Sequence, residues 1–180
     1  ETNKPWSVVA ENDCIAGGFL WTGTDYIGEA GWPSHGWPTG LFDICMVEKP
    51  RAAFHRAMWN DEPMVRIAVR DNALDIDHGR DLWQWPNMAA IWNFPRAYEG
   101  LVIEVNTTTN CERVALFHNG NEMGVRRTAD YPNHTITWCL PYRRGTLVAK
   151  GINGTDTVAV HEIRTAGDAV RWTARANRGN

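Results

Sequence analysis

Two Asn-Gly dipeptides, Asn119-Gly120 and Asn153-Gly154, constrain the fold of this chain more than any other feature. Each lies between two runs in which apolar and polar residues alternate. Asn and Gly both accept the positive φ that a two-residue hairpin turn demands, so each dipeptide joins two antiparallel strands. The run Glu112–His118 turns into Asn121–Arg126 at the first, and Gly145–Ile152 turns into Asp156–Arg164 at the second. The same alternation marks Met64–Arg70, Gly100–Thr107 and His134–Leu140, where Ile136 and Trp138 share one face. Seven short strands with turn signals between them, and no helical period among them, predict an antiparallel β-sandwich. The least regular stretch, Asp71 to Tyr98, reads as a long excursion between the first strands.

Before Asp61 the period is different. Trp6 to Asn12 reads as the end of a helix. Gly18 to Trp21 reads as a short buried strand, with Phe19 and Leu20 apolar on both faces. Gly28 to Glu48 is a loop rich in Gly, Trp and Pro. Lys49 to Trp59 is the clearest helix: Pro50 suits its first position, where a missing N–H costs nothing. Ala53, Phe54, Ala57 and Met58 recur at helical spacing and give it one apolar face. The segment Gly17–Tyr26 stands out because it places Trp21 and Asp25 just beyond an apolar strand, which is how a parallel barrel presents residues to a sugar. Too few residues precede it for the rest of a barrel, so it reads as the end of something larger.

The composition narrows the partners. With 180 residues and a net charge of −3 spread over both signs, the chain offers no basic face to a nucleic acid. No run approaches the roughly 18 apolar residues of a membrane span. The start, Glu1-Thr2-Asn3-Lys4, is not a signal sequence; a periplasmic or secreted parent is slightly favoured, its signal lying outside this segment. Cys14, Cys45, Cys111 and Cys139 lack metal-ligand spacing, so neither a metal nor a cofactor is expected. Cys111 and Cys139 fall near neighbouring strands and leave two readings, a disulfide or, with more weight, buried free thiols. Ten tryptophans are the compositional outlier. Trp83, Trp85 and Trp92 could form a sugar-binding surface, but packing of the core and of a domain interface is the weightier reading. His55, His118 and His134 read as structural or solvated. Asn106, Asn133 and Asn153 begin Asn-x-Thr sequons, which matter only in a eukaryotic secreted protein.

Longer stretches carry a resemblance. Gly17-Gly18-Phe19-Leu20-Trp21-Thr22-Gly23-Thr24-Asp25-Tyr26-Ile27-Gly28-Glu29 resembles the last barrel strand of glycoside hydrolase family 2. Gly40-Leu41-Phe42-Asp43-Ile44-Cys45, with Lys49 and Arg51 to Trp59, resembles the loop and final barrel helix of that family. Thr109 to Gly120, Trp138 to Leu147 and Thr165-Ala166-Gly167 are similar to the immunoglobulin-like domain that follows the barrel. The sequence departs from the family at Met46-Val47, where Gly-Phe is common.

The resemblance implies the last strand and helix of a (β/α)8 TIM barrel over residues 1–60 and an immunoglobulin-like β-sandwich over 61–168. Residues 169–180 would then be a linker to a further domain. It also implies retaining hydrolysis by two carboxyl groups about 5–5.5 Å apart. In the family both are glutamates on earlier barrel strands, so no catalytic residue is expected here and the missing barrel portion becomes a partner. Four residues are the candidate substrate contacts. Trp21 offers an indole face to the C–H face of a pyranose, the alternative being a core tryptophan that seals the barrel. Asp25 and, with less weight, Glu29 orient hydroxyls, the alternative for Asp25 being a loop-capping acid. Trp37, like Trp32, either walls the pocket or packs the loop. β-Glucuronidases typically carry Asn-x-Lys where this chain reads Trp37-Pro38-Thr39, so a neutral β-linked hexose, galactose foremost, is the expected carbohydrate. The competing expectations are a non-catalytic sugar-binding or scaffolding sandwich, or a family member of the β-glucuronidase type.

Overall fold

The computed structural model describes residues 5–70, 87–167, 171 and 173. In chain order these are α1 (Pro5–Glu11), β1 (Tyr26–Ile27), β2 (Gly36–Trp37), α2 (Pro50–Trp59), β3 (Val65–Arg70) and β4 (Met88–Ala89). Then follow β5 (Val102–Thr109), β6 (Arg113–His118), β7 (Asn121–Arg127), β8 (Thr135–Pro141), β9 (Thr146–Asn153) and β10 (Asp156–Arg164). All seven expected long strands form, and β4 adds a two-residue edge.

They make two antiparallel sheets, ordered β10-β9-β6-β7 and β4-β3-β5-β8. The Asn-Gly turns work as expected: His118 pairs with Asn121, and Asn153 with Asp156. Asn119 and Gly120 both have positive φ, at 50° and 80°. The chain crosses between sheets from β5 to β6, from β7 to β8 and from β8 to β9, so each sheet mixes early and late strands. Alternate residues turn inward from both sheets, as a strand's period of two requires. Val65, Ile67, Val69, Val105, Ile136 and Trp138 from one sheet meet Val114, Leu116, Leu147 and Ala149 from the other.

Trp92 is fully buried in this core, with Nε1 donating to the Arg143 carbonyl at 3.0 Å. Trp138 donates to Thr107 Oγ1 at 3.0 Å. Each indole thus buries a large apolar surface while its one donor is satisfied. For Trp92 the packing reading is the right one; Trp83 and Trp85 lie outside the described residues. The Cys111–Cys139 bridge does not form. All four cysteines are free, and of the pair only Cys111 is buried, because Cys139 points outward from β8.

α2 is docked on the sandwich. Ala53 and Ala57 cluster with Met64 against β3 and β5, where small side chains let the helix approach. Asn110, in the β5–β6 turn, ties down the helix exit. Its Nδ2 donates to the carbonyls of Asn60 and Glu62, at 2.8 and 2.9 Å, and its Oδ1 accepts from Met64 N at 2.8 Å. Glu48 lies 3.3 Å from Arg56 on the helix and 3.7 Å from Arg66 on β3. His161 on β10 accepts from Ile67 N at 3.1 Å, so its Nδ1 is unprotonated; burial and the Arg66 charge lower its pKa.

The strand expected at Gly18–Trp21 is not formed. Those residues lie outside any sheet, and Phe19 is fully exposed. A parallel barrel strand is held by ladders on both sides. No described residue of this chain supplies such a ladder.

Candidate functional site

Residues 22–49 fold into a set of short backbone ties rather than a featureless loop. Thr24 bridges Phe42 in parallel, and Phe42 bridges Glu48 in antiparallel. Asp25 N donates to the Phe42 carbonyl at 2.8 Å, and Lys49 N to the Leu41 carbonyl at 3.0 Å. The approach is close enough to require glycine at position 40. A Cβ there would lie 2.2 Å from Asp25 N and from the Thr24 carbonyl carbon. The β1–β2 hairpin sets Tyr26 opposite Trp37, and Gly36 has the same constraint, since its Cβ would meet the Tyr26 carbonyl oxygen at 2.0 Å.

This frame sorts the four candidate residues into two groups. In the first, Trp21 Nε1 donates to Tyr26 Oη at 3.3 Å, and Tyr26 Oη donates to Glu29 Oε2 at 3.0 Å. Trp37 Nε1 donates to the Glu29 carbonyl at 2.6 Å. Trp21 and Glu29 are therefore linked through Tyr26, whose ring meets Trp21 edge-on at 6.3 Å, and Trp37 joins them through the Glu29 backbone. Trp21 remains 64% exposed, so most of its ring surface is available to a ligand or another segment.

Asp25 stands apart. Its Oδ1 accepts from Gly40 N at 2.8 Å and from Lys49 Nζ at 2.6 Å. Lys49 Nζ also donates to the Pro38 carbonyl at 3.1 Å. One oxygen of Asp25 thus ties the loop to the start of α2. The other, Oδ2, has no partner among the described residues. Asp43 does not join it: its Oδ1 accepts from Cys45 N and Val47 N, both at 2.8 Å, and so closes its own turn. Among the described residues Asp25 and Glu29 have no common partner, and nothing arranges them as acid and nucleophile.

Sequence reasoning missed Tyr26 and Lys49. Tyr26 lies inside the segment that drew attention, but only the geometry shows it joining Trp21 to Glu29. Lys49 has no local signal, because its role depends on the loop returning to Asp25 from 24 positions away. Trp32 meets the His35 ring edge-on at 5.6 Å and is 86% exposed.

Comparison with known proteins adds what one chain lacks. Residues 100–159, most of the sandwich, match a family described as a domain of unknown function (DUF4982). The chain is 32% identical over 158 residues to a putative beta-glucuronidase of Formosa agariphila, covering 84% of this chain and 13% of that protein. It is 28% identical over 163 residues to beta-galactosidase BoGH2A of Bacteroides ovatus, covering 89% of this chain and 16% of that protein. A solved glycosyl hydrolase family 2 member from Bacteroides cellulosilyticus superposes with a TM-score of 0.77 at 31% identity, over 91% of this chain and 23% of that one. The fold and these matches define a segment of a glycoside hydrolase. More particularly, the chain belongs to glycoside hydrolase family 2, as its sequence resemblance implied. It spans less than a fifth of the length of these curated relatives.

Proposed function

We propose that this chain is the part of a retaining family 2 glycoside hydrolase that closes the catalytic barrel and continues into an immunoglobulin-like domain. On this reading residues 1–60 complete the barrel, 61–168 form the sandwich and 169–180 lead to a further domain. Gly18–Trp21 becomes a strand when its neighbours in the parent protein pair with it. Both catalytic glutamates lie on the other barrel strands, and the chain alone hydrolyses nothing. The observation that carries the proposal is the contrast across residues 12–59. α2 is packed onto the sandwich, while Phe19, Trp21, Ile27 and Trp32 are exposed, as a barrel-facing and sugar-facing surface would be.

Trp21 is the floor against which the sugar packs. Glu29 holds it through Tyr26, Trp37 braces the Glu29 backbone, and Asp25 offers Oδ2 to a hydroxyl. Terminal β-linked galactose is the favoured substrate. The relative named as a putative beta-glucuronidase supports a uronide instead, as does the approach of Lys49 to Pro38. The ion pair favours galactose, because Asp25 neutralises Lys49 at 2.6 Å, so Lys49 is not a spare cation for a carboxylate.

The test is Trp21→Ala in the intact parent enzyme. Its kcat/KM on a β-galactoside falls by more than tenfold, about 1.4 kcal/mol or more. An unchanged value would reduce Trp21 to packing.

A further inference from the structure

A second feature lies at the end of the sandwich where the β5–β6, β7–β8 and β9–β10 connections gather. A cleft of about 730 Å³ opens there, lined among others by Asn110, Glu112, Arg113, Arg127, Tyr131 and His134. That volume lies within the usual range of small-molecule sites.

Its charge arrangement is unusual. Arg113 on β6 and Arg127 on β7 are directly opposed in register. Like charges facing each other across a ladder destabilise it. No carboxylate relieves the pair among the described residues. Arg113 donates to the Gly154 carbonyl, and Arg127 has no side-chain partner there. The nearby Glu112 spends Oε2 on Gly154 N at 2.9 Å.

Other polar residues line the same space. Tyr131 Oη accepts from Arg126 at 3.0 Å, which leaves its own proton to give. His134 donates Nδ1–H to the Thr109 carbonyl at 3.2 Å, which leaves Nε2 of the neutral ring as an acceptor. At the lip, Asn133 and His134 both hold left-handed backbone, with φ of 58° and 53°. Two successive non-glycine residues in that region cost energy that packing elsewhere must offset.

We propose that this cleft binds a carbohydrate through an oxyanion that the sugar carries, a carboxylate or a sulfate, clamped between Arg113 and Arg127. Two planar guanidinium groups match the paired oxygens of either anion. The polar groups around them suit hydroxyls. The sugar part rests on the glycoside hydrolase reading; the anion part rests on the arginine pair alone. The unit held here need not be the one that is cleaved.

The experiment titrates the 180-residue chain with methyl β-D-glucuronide, methyl β-D-glucoside and sodium sulfate at constant ionic strength. Amide and arginine NMR shifts report the binding. The glucuronide binds at least tenfold tighter than the glucoside, sulfate competes with it, and the shifts centre on Arg113, Arg127 and His134. Arg127→Gln weakens the glucuronide at least tenfold, while Arg127→Lys loses less. Arg127 is exposed, so an unchanged melting temperature confirms that the Gln variant is folded. Equal affinity for the two glycosides, undiminished binding by Arg127→Gln, or binding of sulfate without the glucuronide would overturn the proposal. Failure of the glycosidase reading shows separately, as a parent protein that cleaves no glycoside.

Discussion

Asp25 and His55 show how differently a titratable side chain can be used in one short segment. Asp25 is paired at both ends of Oδ1, and its charge anchors a loop. His55, on α2, is buried with no hydrogen bond to Nδ1. Burial, with the Arg51 guanidinium beside it, lowers its pKa from 6.5 to about 4. The imidazole is thus held neutral between Phe54 and Trp59, its ring centroid 4.8 Å from the indole. The consequence for stability has a definite sign. As pH falls, the unfolded chain takes up the proton before the folded one does. The His55 contribution is complete above about pH 6.5 and is lost as pH falls toward 4, with a slope of up to about 1.4 kcal/mol per pH unit. His161, lowered in the same direction, adds to it. Urea midpoints measured from pH 7.5 down to 4 therefore decline, and His55→Phe makes the decline shallower. A wild-type midpoint that is flat over this range contradicts the assignment. The sequence places His55 on a helix, and nothing local shows that both the sandwich-facing and the loop-facing sides of that helix are covered.

Among the elements, α2 and the β5–β6 turn depend on each other. A helix of ten residues is marginal alone, and most of its stability comes from packing. Asn110 supplies three hydrogen bonds at the point where the helix gives way to β3. Asn110→Ala removes them and leaves Met64 N–H without its acceptor. The chain should lose about 2 kcal/mol, read as a lower urea midpoint at unchanged m. A loss below about 0.5 kcal/mol would mean that the helix is held by its apolar face alone. The elements themselves were largely legible. Alternation marked the seven strands to within a residue or two, because all but β7 bury residues of at least one face, and the Asn-Gly turns fixed two registers. Pro50 marked the start of α2. The strand at Gly18–Trp21 was not legible, since Phe19 and Leu20 say only that the segment is apolar. Whether it forms a strand depends on partners that sequence pattern cannot supply. The β1–β2 hairpin was missed for a different reason. It is two residues per strand, too short to show a period, and rests on Gly36 allowing close approach.

At the scale of the whole molecule, two surfaces of opposite character meet at α2. The sandwich keeps its largest buried side chains, Trp92, Trp138 and Tyr142, inside. Residues 12–49 present exposed Phe, Trp and Ile side chains that no described part of the chain covers. The segment that suggested a sugar site supplies an exposed indole, an acid held by a lysine, and a tyrosine that links Trp21 to Glu29. It lacks an acid and nucleophile pair. Family and fold were readable because the resemblance runs through nearly the whole chain. Substrate was not, because the relatives are named for both galactosides and glucuronides, and the Lys49–Asp25 pair that bears on the choice exists only in three dimensions.

The central claim is that this chain contributes substrate contacts to a glycosidase whose catalytic acids lie elsewhere in the parent protein. Turnover of a chromogenic β-galactoside, measured side by side for the purified parent enzyme and for residues 1–180, tests it directly. The account predicts hydrolysis by the parent and none above background by the 180-residue chain. Turnover by the isolated chain that disappears in Asp25→Asn, or a parent that cleaves no β-galactoside, would contradict it.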